Sequence, residues 1–198
     1  VWLMELTKAG YSFAAINKKN MFKGILLTTL VMAGLQSQFY IPSDSGSSIK
    51  FKIKNLGISV TGSFTGLKGK IQFDPANLGT SSIEATVDAG TVNTGIDLRD
   101  DHLRKEEYFN VKNYPQIRFV SSKITKSNKA GDYLVTGNLT IRNVTKEISF
   151  PFTASPQSRG FLFKGEFKIN RRDFKVGGNS FTLSDNLTVQ LSVLAPKE

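Results

Sequence analysis

No cysteine occurs in the sequence, which has one histidine and one tryptophan. Without cysteine there is no disulfide framework, no thiolate metal site, no thiol nucleophile and no amino-terminal lipid anchor on cysteine, whatever the redox compartment. The fold must be held by its core alone, which a domain of roughly 150 residues can do because folding buries about 68–70% of its surface. The lone histidine, His102, stands beside Asp100 and Asp101. Neighbouring helix positions point in different directions, so Asp101 and His102 would not face one another there. With no second histidine, a zinc site has little to be built from. No glycine-rich phosphate loop, HExxH or GxSxG pattern is present either. No metal and no cofactor are expected, and no carboxylate pair stands out for acid and base work.

Long hydrophobic runs are also missing. The longest begins after Met21-Phe22-Lys23 as GILLTTLVMAGL and ends in the polar QSQ. It falls short of the roughly 20 residues of a membrane span. A short positive region, an apolar run and small residues after it are the parts of a secretory signal peptide. Residues 21–37 are therefore expected to be a signal peptide, with the mature start between Gly34 and Gln38. Residues 1–20 read as an upstream segment outside the mature chain, and 38–198 as one folded domain. The chain is expected to be periplasmic or secreted.

The formal charge of +10 falls to +7 once Lys8, Lys18, Lys19, Lys23 and Glu5 are set aside. Nucleic acid is not an expected partner of an exported chain. Contact with an anionic membrane surface stays open. Lys50, Lys52 and Lys54 alternate with apolar residues and read as the solvated face of a strand.

What the chain does have, from Ser48 onward, is period-two alternation, the signature of strands with one buried face. Ile49, Phe51 and Ile53 share one parity, then Ile58, Val60 and Phe64, then Ile71 and Phe73, then Ile83, Ala85 and Val87. Later groups are Ile117 and Phe119; Tyr133 to Ile141; Ile148 to Phe152; Phe161 to Ile169; and Leu187 to Val193. These make about nine candidate strands. Turn chemistry separates them, as at Asp74-Pro75, Gly131-Asp132 and Gly177-Gly178-Asn179. Many short strands with such turns suggest an all-β sandwich or barrel, and periodicity does not separate the two. Gly62, Gly137 and Gly165 interrupt strand patterns and mark either bulges or close packing. The charged stretch from Thr94 to Phe109 breaks the alternation. Thr94 with Asp97 fits a helix cap, so a short helix is expected at one end of the sheet, stopped by Tyr114-Pro115. Arg171-Arg172 is the densest basic feature. It could grip an anionic head group, or one arginine could pair with Asp173 or with an acid on a neighbouring strand.

The segments SIKFKIKNLGISVTGSFTGLKGKIQFDP, TVNTGIDLRDDHLRKEEYFNVKNYPQIRF, YLVTGNLTIRNVTKEISFPF and FKINRRDFKVGG together resemble the YceI-like family of exported lipid- or polyisoprenoid-binding proteins. The middle block carries the most specific pattern: Arg-Asp-x-His-Leu, an aromatic pair, then Tyr-Pro-x-Ile-x-Phe-x-Ser. The resemblance implies a lipocalin-like, extended eight-stranded antiparallel β-barrel with a short α-helix and an elongated apolar cavity. Its implied partner is a long-chain lipid or isoprenoid, bound without catalysis. Phe51, Ile53, Phe64, Phe73, Phe119, Leu139, Phe150, Phe152, Phe163 and Phe167 are expected to line the cavity. Asn55, Arg99, His102, Arg171 and Arg172 are expected at its polar mouth. The family often has a histidine at the position of Asn55, which keeps the hydrogen bonding without the titratable charge. Two alternatives stay open: a filled barrel serving as an envelope interaction module, and an enzyme acting on a lipid or envelope polymer. A homodimer through an exposed strand edge is also open, with no sequence marker.

Overall fold

The computed structural model describes residues 38–129 and 131–198. The expected signal peptide and upstream segment lie outside the described residues. Nine strands follow in order: β1 (Phe39–Tyr40), β2 (Ser48–Asn55), β3 (Ile58–Gln72), β4 (Ser82–Asn93), β5 (Gln116–Lys126), β6 (Asp132–Ile141), β7 (Val144–Gln157), β8 (Gly160–Asn170) and β9 (Leu183–Pro196). One helix, α1 (Asp97–Arg104), lies between β4 and β5.

Strands β2 to β9 each pair antiparallel with their neighbours in sequence, and β2 pairs with β9 to close the ring. The result is an eight-stranded up-and-down barrel, which settles the choice between barrel and sandwich. Closure satisfies both edges of every long strand. The short β1 adds only Phe39 and Tyr40 to the side of β3. Among the described residues no long strand edge is left free of the kind by which a homodimer would pair.

The candidate strands ending at Phe64 and beginning at Ile71 are one continuous strand, β3. Their parities differ because the register shifts between Ser63 and Lys68. Gly66 sits in that shift at φ 76, in the left-handed region open to glycine. The Asp44 carboxylate accepts the Gly66 and Leu67 N–H groups at 2.9 and 3.0 Å, satisfying donors that the shift leaves unpaired. The extra residue moves the inward set from even positions to odd ones, so Phe64 and Leu67 both face the interior.

Helix α1 is fastened by polar contacts. Asp97 and Asp100 stand in its first turn and His102 and Arg104 in its last, as the helix dipole favours. Thr94 does not cap it over Asp97. Ile96 is the N-cap and offers no side-chain bond. Instead the buried Asp100 carboxylate accepts both the Thr94 N–H and its hydroxyl. Arg104 reaches back to the Gly90 and Val92 carbonyls at 2.8 and 3.0 Å, tying the helix to the end of β4.

In this meander the β2–β3, β4–β5, β6–β7 and β8–β9 connections lie at one end of the barrel and the β3–β4, β5–β6 and β7–β8 connections at the other. At the end holding the β3–β4, β5–β6 and β7–β8 connections, an aromatic cluster fills the interior. Phe73 packs edge-on against Tyr133, Phe161 and Phe163 at 5.1, 5.4 and 5.4 Å. Tyr40 lies edge-on to Phe161 at 5.2 Å. This is the plugged base.

Candidate ligand cavity

Above the plug the barrel is hollow. A cavity of about 260 Å³, partly open to solvent, is lined by inward residues from all eight long strands. β2 contributes Phe51 and Ile53, β3 Phe64 and Leu67, β4 Ala85 and Val87, and β5 Ile117 and Phe119. The far wall comprises Val135 and Leu139 of β6, Phe150 and Phe152 of β7, Phe163 and Phe167 of β8, and Leu187 to Val193 at alternate positions of β9.

Three glycines explain why so many rings leave a space. Gly62, Gly137 and Gly165 all stand at inward positions, and each lies beneath a phenylalanine. A Cβ on Gly62 would come 2.2 Å from the Phe51 ring, one on Gly137 2.7 Å from Phe119, and one on Gly165 3.2 Å from Phe150. Each missing side chain gives a ring room to lie on the wall instead of projecting across the lumen, a pairing that also shields bare backbone. The rings then pack on one another. Phe150 stacks on Phe167 at 4.4 Å and tilts against Phe119 at 5.6 Å, while Phe51 meets Phe64 at 5.6 Å. Of these glycines only Gly137 faces a bulge, the shift between Ser121 and Lys123 of β5. Gly62 and Gly165 pair in register with Phe51 and with Phe152 and Leu191.

Nine of the ten apolar residues expected at the cavity line it, and Phe73 does not. Its position past the shift in β3 carries it down into the base plug, where it is 2% exposed. Leu103, Tyr108 and Phe109, from α1 and the segment after it, cover part of the other end. The sequence pattern missed the two aromatics because their segment has no strand period.

Few polar groups reach the lining. Asn55, at the end of β2, borders the cavity, and its Oδ1 is buried without a hydrogen-bond partner. Arg99 donates Nε to the Thr94 hydroxyl at 2.6 Å and Nη2 to the Thr94 carbonyl at 2.8 Å. Thr94 and Arg99 both border the cavity; the sequence marked Thr94 as a helix cap and gave no signal for this second position.

Arg171 also borders the cavity, but its guanidinium is committed elsewhere. It donates to the carbonyls of Ser184, Val176 and Gly178 and to the Asp185 carboxylate at 2.6 Å, with only 3% exposure. The pairing of one arginine with an acid on a neighbouring strand is thus realised, and Arg171 clamps the 171–185 connection instead of presenting a free fork. Arg172 lies outside the lining, on the Asn179 side-chain oxygen. His102 is exposed and sets its ring edge against Tyr108 at 5.1 Å, also outside the lining. Both point away because the connections carrying them wrap over the rim.

Residues 40–195 match the model of the YceI-like domain. A UPF0312 protein of Yersinia enterocolitica is 32% identical over 154 residues, 73% of this chain and 78% of that protein. In structure the chain is similar to BcnA of Burkholderia cenocepacia, with a TM-score of 0.71 and 26% identity over 75% of this chain and 96% of that one. A polyisoprenoid binding domain from Saccharophagus degradans shares the fold, with a TM-score of 0.64 and 17% identity, covering 82% of this chain and all of that one. The matched region spans nearly the whole barrel, and the chain belongs to the YceI-like domain family.

Proposed function

We propose that the protein binds the apolar chain of a lipid, an isoprenoid or fatty-acyl chain, inside the barrel, as a non-catalytic carrier or store in the periplasm or outside the cell. The observation that carries this reading is the hollow above the plug, walled almost entirely by apolar side chains. A volume of about 260 Å³ lies just under the roughly 300–1,000 Å³ of sites for drug-sized molecules. It suits part of a long chain, with the remainder leaving by the open end. Each buried methylene contributes about 0.8 kcal/mol, and ordering costs consume much of the sum. What remains supports affinity that rises about fourfold per carbon until the hollow is full.

The polar rim supports the same reading. The unpartnered Asn55 Oδ1 offers an acceptor to a ligand hydroxyl, while Arg99, held by Thr94, stands beside the lining as a cation. An enzyme would call for convergent acids or an acid beside an imidazole. The lining contains no carboxylate and no histidine among the described residues. A filled interaction module would call for a packed interior in place of this hollow. The similarity to a polyisoprenoid binding domain points to an isoprenoid chain as the first ligand to try.

Mass spectrometry of an organic extract from protein made in its own host tests the proposal. The expected result is a stoichiometric long-chain lipid, with prenyl or acyl chains rebinding after delipidation. Recovery of no lipid, together with no binding of added chains, refutes it.

A further inference from the structure

Seven large apolar side chains are exposed among the described residues, and five of them belong to the open end: Leu56, Ile58, Ile96, Leu98 and Phe181. Leu56 and Ile58 are 73% and 70% exposed, and Phe181 fully so. The Leu56 N–H donates to the Thr182 carbonyl at 2.8 Å, so the β2–β3 tip and the loop carrying Phe181 form one surface.

The tip is unfavourable for a leucine twice over. Leu56 and Gly57 have φ of 51 and 77, a two-residue turn with both positions left-handed. Such turns favour Asn, Asp or Gly first, and leucine has no polar side chain to offset the strain. The Arg142–Asn143 turn has a similar backbone, but there the Arg142 guanidinium is anchored on the Lys175 carbonyl. The Leu56 side chain meets mainly solvent. A strained backbone that exposes an apolar side chain points to function.

Charge continues from this tip. No acidic residue occurs between Gly46 and Phe73, while Lys50, Lys52 and Lys54 descend the outer face of β2. Across the wall, Lys168 of β8, Thr188 of β9, Lys52 of β2 and Thr61 of β3 stand in one row. None of Lys50, Lys52, Lys54 and Lys168 has a carboxylate within ion-pair distance among the described residues. At about 3.3 Å per residue, Lys54 and Lys52 lie roughly 7 and 13 Å from the tip, the depth range over which lysines reach lipid phosphates.

We propose that this rim docks on a bilayer carrying anionic head groups, with Leu56, Ile58 and Phe181 entering the interface and Lys52 and Lys54 meeting the phosphates. Docked in this way, the barrel presents its open end to the lipid phase. The proposal goes beyond lipid binding in the cavity and uses exterior residues only, so the two are separable by experiment.

The proposal is tested by flotation of the protein with vesicles. Vesicles of phosphatidylcholine with phosphatidylglycerol are compared with phosphatidylcholine alone. The expected result is salt-sensitive flotation with the anionic vesicles. Leu56→Ser/Ile58→Ser/Phe181→Ser should weaken it at least tenfold. Lys52→Gln/Lys54→Gln should weaken it roughly fivefold per charge removed and blunt its salt dependence. Uptake of a fluorescent prenyl probe in vesicle-free buffer should be unchanged in both variants, which separates docking from cavity binding. Should the triple variant fail to fold, Phe181→Ser alone, on a fully exposed site, is expected to show the same direction. The proposal is overturned if the unaltered barrel does not float with anionic vesicles, or if the serine variants float equally well. It is also overturned if the barrel is a dimer that Phe181→Ser dissociates while vesicle binding is absent, since a second copy would then cover the patch.

Discussion

If the hollow is real space that a ligand chain occupies, filling it from the wall should abolish binding without damaging the fold. Ala85 is suited to this, being a small inward residue of β4 on the lining, paired with Phe119 of β5 and Gly69 of β3. Ala85→Phe adds six ring carbons to the lumen. They displace about six carbons of ligand, each contributing about 0.8 kcal/mol, so the loss is about 5 kcal/mol or roughly 3,000-fold in affinity. Forcing the same ring into a packed interior would cost about 1–3 kcal/mol of stability. In a hollow it should cost less than about 1 kcal/mol, because the ring takes unoccupied volume. The assay is titration of a fluorescent fatty-acyl or prenyl probe, run beside urea unfolding of the same preparations. Probe affinity within threefold of the unaltered protein refutes the reasoning, and so does destabilisation beyond about 3 kcal/mol with binding retained.

Further outcomes follow from the same geometry. Asn55→Leu removes a buried acceptor with no partner, so urea unfolding should show stability unchanged or higher by about 1 kcal/mol, while the preference for chains ending in a hydroxyl over plain hydrocarbon falls roughly fivefold. Gly137→Ala places a Cβ 2.4 Å from the Val120 carbonyl and 2.7 Å from the Phe119 ring, and should destabilise by about 1–3 kcal/mol in the same measurement. The Tyr40 hydroxyl titrates above its usual value of 10.0, chiefly through burial and secondarily through the nearby Asp74 charge. The folded state therefore holds this proton more tightly than the unfolded chain. Its contribution is complete below about pH 10 and is lost as pH rises through the folded value. Tyr40→Phe should flatten the fall in stability above pH 10 seen by circular dichroism; an unchanged slope counts against this assignment.

Most of the architecture was legible in the residues themselves, because period two records which side of a strand faces a core and turn chemistry records where strands stop. The alternation correctly named the inward faces of β2 and of β4 to β9, and the charged, aperiodic stretch correctly yielded α1. The family resemblance added the barrel, and closure of β2 on β9 is what makes it one. Alternation had no access to that step, since pairing between residues more than a hundred apart leaves no local period. The single strand β3 was read as two because one glycine at positive φ, held by Asp44, reverses the parity midway. Phe73 was placed on the cavity for a different reason: parity says inward, and only depth along the barrel distinguishes wall from plug. The fate of the charged rim was likewise tertiary. For Arg171 the sequence left open a head-group grip or pairing with an acid, and the structure binds it to three carbonyls and Asp185, whereas Thr94 looked like a cap and instead supports Arg99 beside the lining. The amino-acid sequence by itself determined strands, faces and turns, which depend on near neighbours. Whether the inward phenylalanines would fill the barrel or surround a space depended on three inward glycines meeting rings from adjacent strands, and contacts of that kind exist only once the sheet has closed.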